Sequence, residues 1–452
     1  MAIEQETDHR ADPNMPTWSS LVRGGALVLT ALSCVVVLLL GYRTLVSNSS
    51  NERNPLPLLL ALPMLALAGA VVAFRPERGR VPDLVKSMTA WSFALAATLV
   101  LAWFIANTAI RDDHWVGTPV VTQAAVDTAL AEQLEPMATG STPPLLVPTG
   151  VLLQSFEFLS AHNVEVSGYV WQKYGPDFPD DVQRGIIFPE AVAEAYGAEE
   201  VYRVDQNGTE LIGWYFHATF RQPFDYRQYP FDRQDVWLRL WHPNFERGVL
   251  LVPDFAAYRT SDPRSLPGIE EQFVYSGWEP EDAGFSLALQ RYSTTFGFDT
   301  GFEASGFPEL YFNFALKRAF LGPFVDQVLF AVAVALMLFL VLVLTTSDET
   351  VKARFGFNTS GVLGATSGLL FAVILKHTQL RGAIGQEGVA YLEALPFLFY
   401  LAIPLVALNA IVLASPWEVR FVEYRHNLIP KLLYWPLLLS LLLAITLVVF
   451  FL

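Results

Sequence analysis

One cysteine, Cys34, stands in the 452-residue chain. A single thiol makes no intrachain disulfide and no Cys-rich zinc cluster, so any rigid loop must be held by packing. Charge is scarce as well. Asp, Glu, Lys and Arg make up 16% of the residues, against 53% hydrophobic ones and a positive mean hydropathy, where soluble domains carry about a quarter charged. That excludes an ordinary soluble domain and predicts a membrane protein. Also missing are a phosphate-cradling glycine loop, a His pair spaced for a metal, a catalytic-triad signature and any repeat. The seven His are scattered, and a lone strand His such as His217 reads as structural. No nucleophile, base and orienting group cluster along the chain. The chain therefore reads as no enzyme, with no cofactor, no metal and no nucleic-acid partner expected.

What is present begins with seven apolar stretches, near 22–42, 56–75, 88–109, 321–345, 357–376, 392–414 and 431–452. Each is long enough to cross a hydrocarbon layer of roughly 30 Å as a helix. The first follows a polar tail and is soon followed by two more spans, so it is expected to stay in the mature protein. Basic residues resist translocation. Arg75, Arg78, Arg80 and Lys86 between the second and third spans, and Arg420, Arg425 and Lys431 between the sixth and seventh, belong inside. That predicts a multi-pass membrane protein with a cytoplasmic amino terminus. Residues 113–318 and the carboxyl terminus are then extracytoplasmic. The acid excess fits, since residues 112–316 hold 30 acidic against 11 basic residues.

This acidic block reads as strands. Runs at 145–158, 164–174, 210–220, 235–241, 285–296 and 309–318 are rich in β-branched and aromatic residues with rough period-two alternation, punctuated by turns such as DQNG at 205–208. An antiparallel β-sandwich is the economical reading. A helix over Val121–Met137 and a linker at 138–148 precede it. The predicted organisation is a tail (1–21), three amino-terminal transmembrane helices (22–112), a helix and linker (113–148), the extracytoplasmic sandwich (149–318) and a four-helix bundle (319–452). The fold class is thus a mixed membrane protein, a β-sandwich joined to an α-helical transmembrane bundle.

Within the block, FDYRQYPFD at 224–232 links two strands. Pro fixes a backbone angle and aromatics anchor a loop without a disulfide, and taken alone such a loop is a well-packed connection. In its wider setting it gains meaning. FRQPFDYRQYPFDRQ (220–234), FVYSGWEPE (273–281), a strand ending in LKR (316–318) and four closing spans together resemble the pentameric ligand-gated ion channels. This is the Cys-loop receptor superfamily, in its prokaryotic, disulfide-free form. YVWQKY (169–174), IIFPEA (186–191) and WHPNF (241–245) fall in matching order, and the resemblance covers about residues 145–452. The flanking cysteines of the animal receptors are absent, and the three leading spans lie outside the family's plan.

The resemblance implies a homopentamer in the lipid bilayer of a bacterial plasma membrane, the inner membrane. An extracytoplasmic small-molecule or ion ligand, a proton or a divalent cation opens it, and ions permeate passively. The span at 357–376 is the least greasy of the last four, and its polar groups should be shielded from lipid. It is the pore-lining candidate, the alternative being a buried packing helix. With Arg354 at its inner end, Gly356, Ser360, Leu363, Ser367 and Leu370 share one face, and a Leu363 ring would block ions by dewetting. Asp348 and Glu349 favour cations while Lys352 and Arg354 favour anions, so selectivity stays open.

For coupling, the resemblance implies Asp225, Tyr229, Pro230, Asp232 and Arg318. Asp232 and Arg318 are matched to an acid and a base that pair, beside the segments Ala161–Glu165 and Gln379–Tyr391; an interfacial anchor is the alternative for Arg318. For ligand binding at subunit interfaces it implies Phe188, Trp241, His242, Phe245, Phe298, Phe302 and Phe307 on one face, and Tyr169, Trp171 and Lys173 on the other. Aromatic walls suit an organic cation, although each ring alone reads as core packing. The competing reading of the whole is a non-conducting transmembrane sensor that relays to a partner through the amino-terminal helices.

Overall fold

The computed structural model describes residues 81–108, 115–134, 144–275, 277–294, 296–297, 307–355, 358–384 and 388–451. The expected spans at 22–42 and 56–75 lie outside the described residues. So do Gly356, Phe298 and Phe302.

The chain divides into two compact units. Ile110–Val328 and Thr378–Leu392 form one, and Leu329–His377 and Glu393–Leu452, together with the chain up to Ala109, form the other.

The first unit is built on two sheets. Its strands are β1 (Thr118–Val120), β2 (Leu145–Phe158), β3 (Asn163–Tyr174), β4 (Ala191–Gln206), β5 (Thr209–Arg221), β6 (Arg233–Leu240), β7 (Val249–Pro253), β8 (Trp278–Gln290) and β9 (Phe307–Arg318). One sheet has the order β1-β8-β9-β6, the other β4-β5-β3-β2-β7. Alternation explains the pairing. β6 buries every second residue, so Val236, Leu238 and Leu240 enter a core shared with Phe216 and Phe220 of β5 and Phe312 and Phe314 of β9. Asn207 and Gly208, both at positive φ, turn the hairpin between β4 and β5. A purely antiparallel arrangement is corrected at one pair, because β7 runs parallel to β2. All five β7 residues are buried, as a parallel edge packed on both faces requires. The strand expected at 285–296 ends earlier, at Gln290. Helix α2 is Gln123–Leu134, closed on its amino side by Thr122 Oγ1, which accepts from Ala125 N at 3.2 Å.

The second unit holds the apolar helices. In chain order they are α1 (Val81–Thr108), α3 (Leu321–Leu344), α4 (Glu349–Phe355), α5 (Thr359–Ile384), α6 (Ala394–Ala414) and α7 (Leu428–Phe451), with a single helical turn at Arg420–Glu423. The division assigns the first residues of α3, up to Val328, and the last of α5, from Thr378, to the unit with the sheets. Among the described residues five helices are long and apolar enough to cross a membrane, which marks a membrane-embedded chain. α1 buries Leu84, Met88, Leu95, Leu99, Ala102 and Ala106, spaced by three, four or seven residues, and exposes Phe93, Val100 and Phe104. It packs along α7, with Leu84 and Met88 clustered on Leu428 and Leu432.

Candidate functional site

The 224–232 loop ends in an ion pair. Asp232, 1% exposed, immediately precedes β6, and Arg318 closes the neighbouring β9, so the sheet register brings them together. Arg318 Nε and Nη2 donate to the two Asp232 carboxylate oxygens at 2.6 and 2.9 Å, and Arg318 N donates to Asp232 O at 3.2 Å. The guanidinium lies 4.1 Å from the Trp278 ring centre and 4.8 Å from that of Tyr229, so aromatic faces and a carboxylate hold the same cation. Gln234 Nε2 donates to Asp232 Oδ2 at 2.9 Å and to Asp225 O at 2.8 Å. The Asp225 carboxylate is turned outward, to exposed Arg227 at 2.6 Å. Pro230 and Tyr229 are buried, joined by a cis peptide bond.

Phe231 carries the loop to other segments of the same unit. Its ring lies tilted against Phe320 at 5.3 Å and Phe324 at 5.6 Å, at the start of α3, and against Tyr391 at 6.4 Å. Tyr391 N donates to Arg227 O at 2.8 Å. One loop thus touches both the root of α3 and, at Tyr391, the chain that follows α5.

A second cluster surrounds Trp241. Its ring lies 5.0 Å from Phe245, 5.9 Å from Tyr292 and 6.0 Å from Phe296. The Arg239 guanidinium sits 5.3 Å over it and pairs with Glu190 at 2.6 Å and, more loosely, with Glu309 at 3.5 Å. The Tyr292 hydroxyl hydrogen-bonds Glu309. Burial pushes the carboxyls of Glu190 and Glu309 above the usual range, partly offset by Arg239. Burial, reinforced by Glu309, pushes the Tyr292 hydroxyl up. Beside this cluster a water-sized cavity of about 10 Å³ is lined by Trp241, His242, Tyr292, Phe307 and Glu309. Among the described residues Glu190 Oε2 and His242 Nε2 are buried without a hydrogen-bond partner.

The expected ligand residues therefore separate. Trp241, Phe245 and Phe307 are half-buried and gathered here. Phe188 is in the interior, 4.8 Å from Phe216 and 5.5 Å from Phe220, where it packs rather than forming an accessible wall. His242, 1% exposed, faces Tyr174 and Phe178, accepts from Asn244 N at 3.1 Å through Nδ1, and is pushed down to about 4 by burial. On the other sheet Trp171 Nε1 and Lys173 Nζ both reach Asp254 Oδ2, at 2.9 and 2.7 Å, while Tyr169 packs on Tyr215 at 5.4 Å. Sequence reasoning missed Glu190, Arg239 and Glu309. The available signal was Arg239 two residues before Trp241, hence on the same strand face.

On α5, Ser360, Leu363 and Ser367 are exposed and Leu370 is half-buried, while Val362, Thr366 and Val373 form the edge buried by the chain itself. Asn358 Oδ1 caps the helix by accepting from Gly361 N at 2.7 Å. Near its far end His377 bonds Glu393, which is fully buried, at 3.1 Å and the Tyr400 hydroxyl at 3.0 Å. No family model matches the chain, and no curated protein matches it.

Proposed function

We propose that the chain is one subunit of a homopentameric ligand-gated ion channel, resembling the prokaryotic members of the Cys-loop receptor superfamily. In this reading the two sheets form an extracytoplasmic sandwich and α5 lines the pore. The observation that carries it is the 224–232 loop. It is locked by Asp232 and Arg318, and Phe231 presses on Phe320, Phe324 and Tyr391. A rearrangement of the sheets is thereby delivered at once to the root of α3 and to the segment after α5. The uncovered Ser360, Leu363 and Ser367 supply a wettable face with one apolar ring position.

The Trp241 cluster is the stimulus site in this reading. Arg239 already occupies the cation–π position over Trp241, so an organic cation would have to displace it. Two carboxyls raised by burial favour uptake of a proton instead. The test is reconstitution of the purified full chain in planar bilayers, with particle images for subunit number. Stimulus-dependent unitary currents from a five-fold assembly are expected, and a monomer or an assembly without an axial conduit ends the proposal.

A further inference from the structure

Between α1 and β2 the chain lays a short segment along the edge of one sheet. Residues 109–114 separate the end of α1 at Thr108 from Trp115, and the chain then follows β8. Thr118, Pro119 and Val120 pair antiparallel with Leu287, Ser286 and Phe285. β1 thereby covers what would otherwise be the open edge of the four-stranded sheet. Beyond it α2 anchors the far end, burying Val126, Ala129 and Leu130 in the core shared by the two sheets.

The seam is specific to this contact. Trp115 Nε1 donates to Asp282 Oδ1 at 2.8 Å. Val116 N donates to Asn313 Oδ1 at 3.3 Å, and Asn313 Nδ2 donates to Ser286 Oγ at 2.7 Å. Ser286 Oγ in turn donates to Val116 O, which closes a ring between β8, β9 and the segment before β1. Ser286 and Asn313 are buried, so lifting that segment costs each of them a hydrogen bond where a replacement is hard to find. Glycine stands on both sides of the seam. Gly117 is at φ +80°, and a Cβ there would run into the Leu287 carbonyl oxygen, while a Cβ on Gly284 would come within 2.6 Å of the Trp115 ring.

The contact falls midway along a strand pair whose ends carry the two clusters described above. At the start of β8 Trp278 faces Arg318, and just beyond its end Tyr292 hydrogen-bonds Glu309 of β9. On its upstream side the segment continues from α1, which packs along α7. One continuous stretch of chain therefore joins an amino-terminal membrane helix to the strands that lie between Glu309 and Arg318.

We infer that residues 115–120 are a strap through which the amino-terminal helices restrain the β8–β9 pair, so that releasing it lets the pair respond to a weaker stimulus. The response rests on the channel reading, whereas the restraint does not.

A protease site inserted within 109–114 of the full chain gives one protein that is measured uncut and cut, and whose folding precedes the cut. Amide hydrogen exchange at 116–120 and 285–287 reads the seam, and currents in planar bilayers during acid steps read the response. Cutting is expected to raise exchange in both stretches several-fold and to move activation to a higher pH. Trp115→Ala in the uncut chain, which removes the ring without crowding Gly284, is expected to do the same. Unchanged exchange after the cut overturns the restraint. Raised exchange with activation at the pH of the uncut chain overturns the regulation. If no form conducts, the channel reading falls while exchange still decides the strap, raised exchange supporting it and unchanged exchange ending it.

Discussion

Arg318 grips Asp232 with two hydrogen bonds while lying between the rings of Trp278 and Tyr229. With Asp232 1% exposed and the Arg318 side chain 16% exposed, removing either partner leaves a shielded charge alone, at a cost of about 3–5 kcal/mol. Asp232→Ala and Arg318→Ala are each expected to lower the unfolding free energy by that order, read from tryptophan emission during denaturation. The double variant should cost clearly less than the sum, since neither charge is then stranded. Additive losses would mean that the two residues act separately.

Stability should depend on pH through groups that oppose one another. Burial holds His242 neutral, down from 6.5 to about 4. Between those values the unfolded chain binds more protons than the folded one, so stability is full above about 6.5 and falls as pH drops through the window. The loss is on the order of 3 kcal/mol, at about 1.4 kcal/mol per pKa unit. Glu190 and Glu309, both raised above 4.5 by burial, act in the other sense. The folded state holds their protons more tightly, so their contribution is greatest at low pH and is lost as pH rises through the raised values. Melting temperatures across pH 4–7 should therefore fall less steeply toward acid in His242→Asn, and more steeply in Glu309→Gln. An unchanged slope in His242→Asn would remove His242 from the account.

Trp171 lies across the strand pair from Gly150, and a Cβ on Gly150 would come within 2.2 Å of its ring atoms. The ring cannot stay where it is and keep its hydrogen bond to Asp254. Gly150→Ala is expected to destabilise the sheets by about 1–3 kcal/mol, the cost of overpacking, and to shift tryptophan emission to the red as Trp171 is driven outward. Wild-type emission and stability in this variant would contradict that geometry.

Legibility in the sequence followed physical distinctiveness. β2, β3 and β9 announce themselves through alternating branched and aromatic residues, and their observed bounds lie within two residues of those expected. A strand on each side of the DQNG turn was expected, but β4 had no readable bounds, because AVAEAYGAEEVYRVDQ is rich in Ala and Glu and runs along a sheet edge, where pairing rather than propensity makes the strand. β7 was missed because VLLVP is buried on both faces and has no alternation to read. The acid–base pair at Asp232 and Arg318 was anticipated from family resemblance, whereas Glu190, Arg239 and Glu309 were not. Charged residues in strands read as solvent-facing, and only the three-dimensional approach of β6, β9 and the turn before β4 turns them into a partly buried cluster.

Leu363 offers the sharpest separation between a pore position and a packing position on α5. It is 39% exposed, whereas its neighbour Val362 is 1% exposed and Thr366, whose Oγ1 donates to Val362 O at 2.9 Å, is 3% exposed. If the exposed face lines a narrow conduit, a ring of Leu363 side chains holds the closed state by excluding water, and a polar substitution lowers that barrier. Leu363→Ser should open at weaker stimulus than wild type, by about tenfold, or about 1.4 kcal/mol. Val362→Ser should instead lower thermal stability without such a shift, because it cuts into the edge packed against the chain's own helices. Currents in planar bilayers separate the two. Expressed Leu363→Ser with wild-type activation would show that a different face of α5 borders the ions, since an apolar constriction at this ring could not lose its methyl groups and gate unchanged.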